Sequence, residues 1–173
     1  MNVRMRLNDE SPEPPLHGSA VCAILVTYHP DAELAARLRR IDPQVGAIVI
    51  VDNGSTDAEV RMLHDIATDP KIHLMLNRQN LGVARALNLG VGCAESLGYS
   101  LALLLDQDTS VEAGMVQTLL GIYRSFPDRD RLAVGENQDL FMPNGPGARP
   151  GDPDSALGVP ATGITALTTM PSQ

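Results

Sequence analysis

The sequence predicts an α/β fold, a Rossmann-like and mostly parallel sheet flanked by helices, between about Ser19 and Phe126. Three observations predict it. Four short runs of Val, Ile, Leu and Ala recur along this stretch without the polar alternation of a one-sided sheet, as strands covered on both faces do. Segments with apolar residues at helical spacing separate them. The apolar content, 43% of the 173 residues, is aliphatic, with three Tyr, two Phe and no Trp.

Taken in order, Met1 to Gly18 is polar and holds three prolines, so residues 1–18 read as a disordered tail. Val21 to Thr27 is the first strand and ends at Tyr28-His29-Pro30. Leu34, Leu38 and Ile41 then form the apolar stripe of a helix whose exposed side carries Arg37, Arg39 and Arg40. Ala47 to Val51 is the second strand, closed by the turn residues Asp52-Asn53-Gly54-Ser55. Thr56 and Glu59 have the spacing of a capping box, which predicts a short helix reaching Ala67. Ile72 to Leu76 is the third strand, and a loop from Asn77 to Gly82 leads into a helix over Val83 to Ser96 that buries Leu87, Val91 and Ala94. Leu101 to Leu105 is the fourth strand, followed by Asp106-Gln107-Asp108. Thr109 and Glu112 repeat the capping-box spacing before a helix that buries Met115, Leu119 and Ile122.

Beyond Phe126 the texture changes. Residues 127–173 hold seven prolines and six glycines, so they read as an irregular region in which Arg131 to Val134 is the candidate for a fifth strand. The expected organisation is thus a tail over 1–18, an α/β domain over 19–126 and an irregular remnant over 127–173.

A net charge of -8 and few aromatics leave neither a basic face for phosphate backbones nor stacking surface for bases, which argues against nucleic acid as a partner. Cys22 and Cys93 lack metal-ligand or disulfide spacing and read as reduced thiols. No run approaches the ~18 apolar residues of a membrane span, and the first eighteen residues lack a signal-peptide core. A cytoplasmic location is expected, with peripheral association at the inner face of the plasma membrane as its variant.

Parallel strands joined by right-handed helical crossovers bring their C-terminal ends to one edge, where ligands of such sheets bind. The residues delivered there are Tyr28 and His29, Asp52 and Asn53, Asn77, and Asp106 and Asp108. Asp106 and Asp108, two apart at a strand end, can face one Mg²⁺ or Mn²⁺ ion. Such an ion takes one or two protein carboxylates and fills its other positions with water and phosphate oxygens, so a diphosphate is implied. Taken alone, two aspartates in a loop are weak testimony. Asp52 can accept hydrogen bonds from a pyrimidine N–H or a ribose hydroxyl; the blander reading, an Asx-turn before the Thr56 cap, is compatible with that role, because a turn that rigidifies Asp52 also aims it. Asn80-Leu81-Gly82 opens a helix that carries Arg85 and Asn88, which suits an anion, although a glycine turn with an exposed Arg is the blander reading. His29 reads as a loop residue, without a second His or Cys at ligand spacing.

The ordered segments Leu25-Val-Thr-Tyr-His-Pro-Asp31, Val49-Ile-Val-Asp-Asn-Gly-Ser-Thr-Asp57, Asn80-Leu-Gly-Val-Ala-Arg-Ala-Leu-Asn-Leu-Gly90 and Leu103-Leu-Leu-Asp-Gln-Asp108 resemble the family 2 inverting glycosyltransferases, over roughly residues 20–126. Within that family the Thr-Tyr-His-Pro and Asp-Gln-Asp forms look most like bacterial rhamnosyltransferases that use dTDP-L-rhamnose. The resemblance implies a glycosyltransferase-A fold whose first half binds a nucleoside-diphosphate sugar, dTDP-rhamnose or a UDP-sugar. Thr27 and Tyr28 would line the base pocket, Asp52 and Asn53 would meet the pyrimidine side, and Asn80, Gly82 and Arg85 would lie near the diphosphate. Asp106 would hold ribose and, with Asp108, the Mg²⁺ or Mn²⁺. The implied reaction is transfer of a hexose, L-rhamnose by the closer likeness, to a glycan or lipid-linked acceptor in cell-surface polysaccharide synthesis.

The sequence departs from the family after the Asp-x-Asp helix. An acceptor half with an acidic general base is not found, and Asp128, Asp130, Glu136 and Asp139 sit in no recognisable motif. The chain therefore reads as truncated, and a nucleotide-sugar-binding fragment without turnover is the alternative. A phosphoacceptor receiver fits less well, because Thr27 and Tyr28 stand where an acidic pair belongs. A nucleotidyltransferase would need a basic, Gly-rich loop after the first strand, which is absent.

Overall fold

A computed structural model of the chain describes residues 16–125 continuously and three short strands beyond them, 133–135, 140–141 and 165–169. Four parallel strands form the centre: β1 (Val21–Thr27), β2 (Ala47–Asp52), β3 (Ile72–Leu76) and β4 (Leu101–Asp106). Three more, β5 (Ala133–Gly135), β6 (Leu140–Phe141) and β7 (Thr165–Thr169), extend the sheet to the order β3-β2-β1-β4-β7-β5-β6. The helices are α1 (Leu34–Ile41), α2 (Asp57–Ile66), α3 (Val83–Ser96) and α4 (Met115–Ser125).

Side-chain alternation decides which helix covers which face. Val21, Ala23 and Leu25 of β1, Ile48 and Ile50 of β2, and Leu101, Leu103 and Leu105 of β4 point one way. There they meet Leu34, Leu38 and Ile41 of α1, Leu63 of α2, and Val116, Leu119, Leu120 and Tyr123 of α4. The intervening residues, Cys22 and Ile24, Ala47, Val49 and Val51, and Ala102 and Leu104, face Ala86, Leu87 and Ala94 of α3. Both faces are thus sealed, which is why these strands lack polar alternation. α3 lies close to the sheet through its small residues: a Cβ on Gly90 would stand 2.4 Å from Ile24 Cγ2.

β2 and β1 align from Cys22 opposite Ala47 to Thr27 opposite Asp52, β1 and β4 up to Val26 opposite Asp106, and β2 and β3 up to Asp52 opposite Leu76. The four strand ends are therefore level, and the loops that follow them share one edge of the sheet.

Four details differ from the sequence expectations. Thr109 and Glu112 form no capping box, because the chain runs through a left-handed Gly114 (φ 84°) before α4 starts at Met115. Val111, 1% exposed, anchors that loop instead. α4 consequently buries Val116, Leu120 and Tyr123 beside Leu119, with Met115 and Ile122 only partly buried. At the front, Leu16 packs on the core, its carbonyl accepts from Arg124 at 2.8 Å, and Gly18 to Ala20 forms a 3-10 turn, so ordered chain begins before the expected boundary at Ser19.

At the other end, the fifth-strand candidate appears as Ala133–Gly135, whereas β7 was not foreseen in the irregular region. β7 is three-fifths threonine, too polar to resemble a doubly covered strand, yet β-branched Thr suits extended backbone, and it pairs antiparallel with β4. The tail up to Pro15 and the acids Asp128, Asp130, Glu136 and Asp139 lie outside the described residues. Among the described residues, no helix is long and apolar enough to cross a membrane.

Candidate functional site

The level strand ends enclose an open cleft of about 370 Å³ lined by Val26, Tyr28, Asn53, Asn80, Val83, Asp106, Gln107 and Asp108. All four parallel strands or the loops behind them contribute to its walls or their bracing. Five of the residues expected at the site from sequence, Tyr28, Asn53, Asn80, Asp106 and Asp108, come together in this lining. Thr27, Asp52, Gly82 and Arg85 are not part of it, and Val26, Val83 and Gln107 were not anticipated.

Asp52 takes the turn-fixing role that the sequence allows it. It is 1% exposed, and its carboxylate accepts from Thr27 Oγ1 at 3.3 Å, Gly54 N at 3.2 Å, Ser55 N at 3.0 Å and the Ser55 hydroxyl. A carboxylate has about four lone-pair positions, and four donors use them. The acceptor expected to meet a pyrimidine is therefore committed to its own loop, behind the cleft wall. Thr27, fully buried, is its partner there rather than a pocket residue. The turn requires Gly54 at φ 98°, where a Cβ would also stand 2.8 Å from the Gln79 carbonyl carbon.

What Asp52 aims is Asn53, 3% exposed, the centre of an amide network that ties the loops after β2 and β3. Asn53 Oδ1 accepts from Leu81 N at 3.0 Å and Asn77 Nδ2 at 3.2 Å, while its Nδ2 donates to Asn80 Oδ1 at 2.9 Å. Asn80 Oδ1 also accepts from Gly82 N at 2.9 Å. The two backbone donors fix which end of each amide is oxygen, so every bond in the network is compatible with the others. Backbone bonds reinforce it: Asn53 N to Thr27 O at 2.7 Å and Asn77 N to Asp52 O at 2.8 Å.

Gly82, at φ 84°, stands before α3, which has no side-chain N-cap. The first-turn N–H groups of this fourteen-residue helix thus keep their partial positive charge at the edge where Val83 lines the cleft. Arg85 is exposed on the same turn but is not part of the lining.

On the opposite wall, Asp106 ends β4 and Asp108 is exposed in the following turn. Between them Gln107 turns back to β1: its Oε1 accepts from Tyr28 N at 2.9 Å and its Nε2 donates to Tyr28 O at 3.1 Å. Tyr28 itself is 46% exposed. His29, at φ 50°, is a loop residue as expected, and its Nδ1 lies 2.9 Å from Glu59 Oε2. Glu59 also accepts from Thr56 N at 2.7 Å, completing the α2 capping box, and these bonds, Thr56 first and His29 after, hold its carboxyl below the usual range.

Among the described residues, no three of His, Cys, Asp and Glu gather as a metal cage. Two carboxylates beside an open cleft instead match the needs of a hard divalent cation that keeps most of its positions for water and phosphate. The donor chemistry fits Mg²⁺ or Mn²⁺, with Asp106 and Asp108 as the residues that would hold it.

Comparison with known proteins converges on the same stretch. The profile of "Glycosyl transferase family 2" matches residues 22–129. A dTDP-rhamnosyl transferase, RfbF of Shigella flexneri, is 29% identical over 102 residues, covering 58% of this chain and 33% of that protein. Among solved structures, a mannosyltransferase from Pyrobaculum calidifontis in complex with GDP-Man and Mn²⁺ has a TM-score of 0.51 at 24% identity, covering 73% of this chain and 39% of that one. Residues 1–349 of S. aureus TarS, in complex with UDP-GlcNAc, have a TM-score of 0.50 at 16% identity, covering 66% and 33% respectively. The chain thus spans about a third of the length of that curated relative.

Proposed function

The chain belongs to glycosyl transferase family 2 and has a glycosyltransferase-A type fold, and from that premise we propose that its cleft takes a nucleoside-diphosphate sugar, with a divalent cation, for transfer to an acceptor hydroxyl. The observation that carries this reading is the convergence of Tyr28, Asn53, Asn80, Asp106 and Asp108 around one cleft at the carboxyl edge. Its volume lies in the range of ~300 to 1,000 Å³ typical of small-molecule sites.

Each wall has a role in this reading. Tyr28 and Val26 offer a flat, partly apolar surface to the base, and Asn53 rigidifies the floor while Asp52 and Thr27 brace it from behind. The uncapped start of α3, with Asn80, Gly82 and Val83, faces the diphosphate, and Arg85 adds positive charge one turn along. Asp106 and Asp108 hold Mg²⁺ or Mn²⁺, which when bound supplies the charge neutralisation that lets a nucleoside diphosphate depart. The similarity to a dTDP-rhamnosyl transferase favours dTDP-rhamnose as donor over a UDP-sugar, and a glycan or lipid-linked acceptor in cell-surface polysaccharide synthesis. An acceptor of that kind would be met at the inner face of the plasma membrane.

Calorimetric titration of dTDP and UDP, with and without Mn²⁺, tests the reading. Binding should require Mn²⁺ and fall by at least about tenfold in Asp108→Asn, the loss expected when a charge-assisted contact is removed. Equal affinity with and without the metal would defeat it. A second reading, binding without transfer, is favoured by one observation: among the described residues, the acids lining the cleft are Asp106 and Asp108, and neither is left over as a general base. Sugar transfer by the purified 173-residue chain would exclude that alternative.

A further inference from the structure

Gln107 is the middle residue of the Asp-Gln-Asp turn, and within the cleft lining its carboxamide is engaged by Tyr28. A carboxamide offers one acceptor and one donor group about 2 Å apart, and Gln107 spends both on a single residue, Tyr28 N at 2.9 Å and Tyr28 O at 3.1 Å. No other side chain of that length can do both. Glutamate would accept from the N–H but set its second oxygen against the carbonyl, and leucine would do neither.

The main chain of Gln107 is gripped as well. Its carbonyl accepts from Arg37 Nε at 2.8 Å, and the same guanidinium, 15% exposed, pairs with Asp31. That pairing holds the Asp31 carboxyl below its usual range. Asp31, Arg37, Gln107 and Tyr28 form a circuit joining the loop after β1, the first turns of α1 and the turn after β4. The backbone of Tyr28 is consequently tied to the turn that carries Asp106 and Asp108.

We propose that Gln107 is a positioning residue that sets the distance between the surface receiving the base and the carboxylates receiving the cation, so that one ligand of bounded reach can meet both. This rests on the nucleotide-sugar reading of the cleft for its ligand, and on the circuit itself for its mechanics. A nucleoside diphosphate has a bounded reach from base to phosphates; removing the clamp leaves each half-site intact and unlinks them. Affinity for Mn²⁺ alone should then survive, while the Mn²⁺-dependent affinity for dTDP or UDP should not.

Three measurements on the 173-residue chain decide it, using Gln107→Leu and the near-isosteric Gln107→Glu. Amide hydrogen exchange at Tyr28 should accelerate by about tenfold or more in both, because its acceptor is lost or strained, while Asn53 N–H, held by Thr27 O, keeps its protection. Affinity for dTDP in saturating Mn²⁺ should fall by about tenfold or more, Leu worse than Glu, with Mn²⁺ affinity alone within about twofold and Tm nearly unchanged. Unchanged Tyr28 exchange overturns the clamp. Faster exchange with unchanged dTDP affinity overturns its positioning role. If wild-type chain binds no nucleotide, the nucleotide reading and the positioning role fall together, while the exchange result still decides whether the clamp exists.

Discussion

Asn53 shows how a small residue can govern a site without carrying charge. Its amide makes three bonds, to Leu81 N, Asn77 Nδ2 and Asn80 Oδ1, and two need an acceptor while one needs a donor. Asn53→Asp keeps the acceptor side but sets an oxygen against Asn80 Oδ1, so it should cost about 1 to 3 kcal/mol of stability, read from urea denaturation. Asn53→Ala, which abandons all three, should cost at least as much, and a milder effect of Ala would show the network to be slack. Thr56→Ala is a local control, since it removes the cap of α2 and should cost about 1 kcal/mol without touching the cleft. At this scale the sequence was legible in part. Asp106 and Asp108 announce themselves by charge and spacing, whereas Gln107 and the role of Asn53 depend on partners 24 to 79 positions away, which no local pattern encodes. The turn-fixing role of Asp52 was legible, because the Asp-Asn-Gly-Ser run signals a turn by itself, whereas its bond from Thr27 was not.

Among elements, α3 carries the sharpest test because it holds two glycines in opposite situations. Replacing Gly in a helix by Ala gains up to ~1 kcal/mol from propensity alone. At Gly92 a Cβ would meet nothing within 4 Å, so Gly92→Ala should raise stability by most of that amount. At Gly90 the Cβ would press on Ile24 Cγ2 at 2.4 Å, with Val51 Cγ2 at 3.2 Å. Ile24 is fully buried and has nowhere to go, and overpacking of this kind costs ~1 to 3 kcal/mol. Gly90→Ala should therefore be neutral to destabilising, and the two variants should differ by ~1 to 3 kcal/mol in thermal or urea unfolding. Equal effects would mean that α3 stands off the sheet. The elements were the most legible scale, because a strand sealed on both faces must be apolar throughout and a helix beside it must show a stripe. The lapses fall where neither condition holds. The Thr109 capping box was read from spacing alone, while Gly114 decides where α4 begins; β7 runs at the sheet's far side with a composition that no burial rule selects.

The described part of the molecule is a sheet with the groups of its cleft at one end and the Cys22 thiol sealed inside. Cys22, fully buried at the start of β1 beneath α3, has its thiol pushed from the ordinary 9.0 up to about 12, chiefly by burial. The unfolded chain therefore sheds this proton first. Stability is unaffected by Cys22 below pH 9 and should fall as the pH rises from about 9 towards 12, a slope that Cys22→Ala should lose. The same burial makes labelling of Cys22 by a thiol reagent a measure of global opening, slower than labelling of the less buried Cys93.

Because the central strands run side by side in one direction, everything that braces the cleft is concentrated at their exits, and the turns at their entrances bear none of it. The turn at Gly98, left-handed at φ 87° with open space around its α-carbon, lies at such an entrance, just ahead of β4. A reporter peptide or surface tether spliced in there should leave ligand capture intact, which offers a way to immobilise the protein with its working end facing outward.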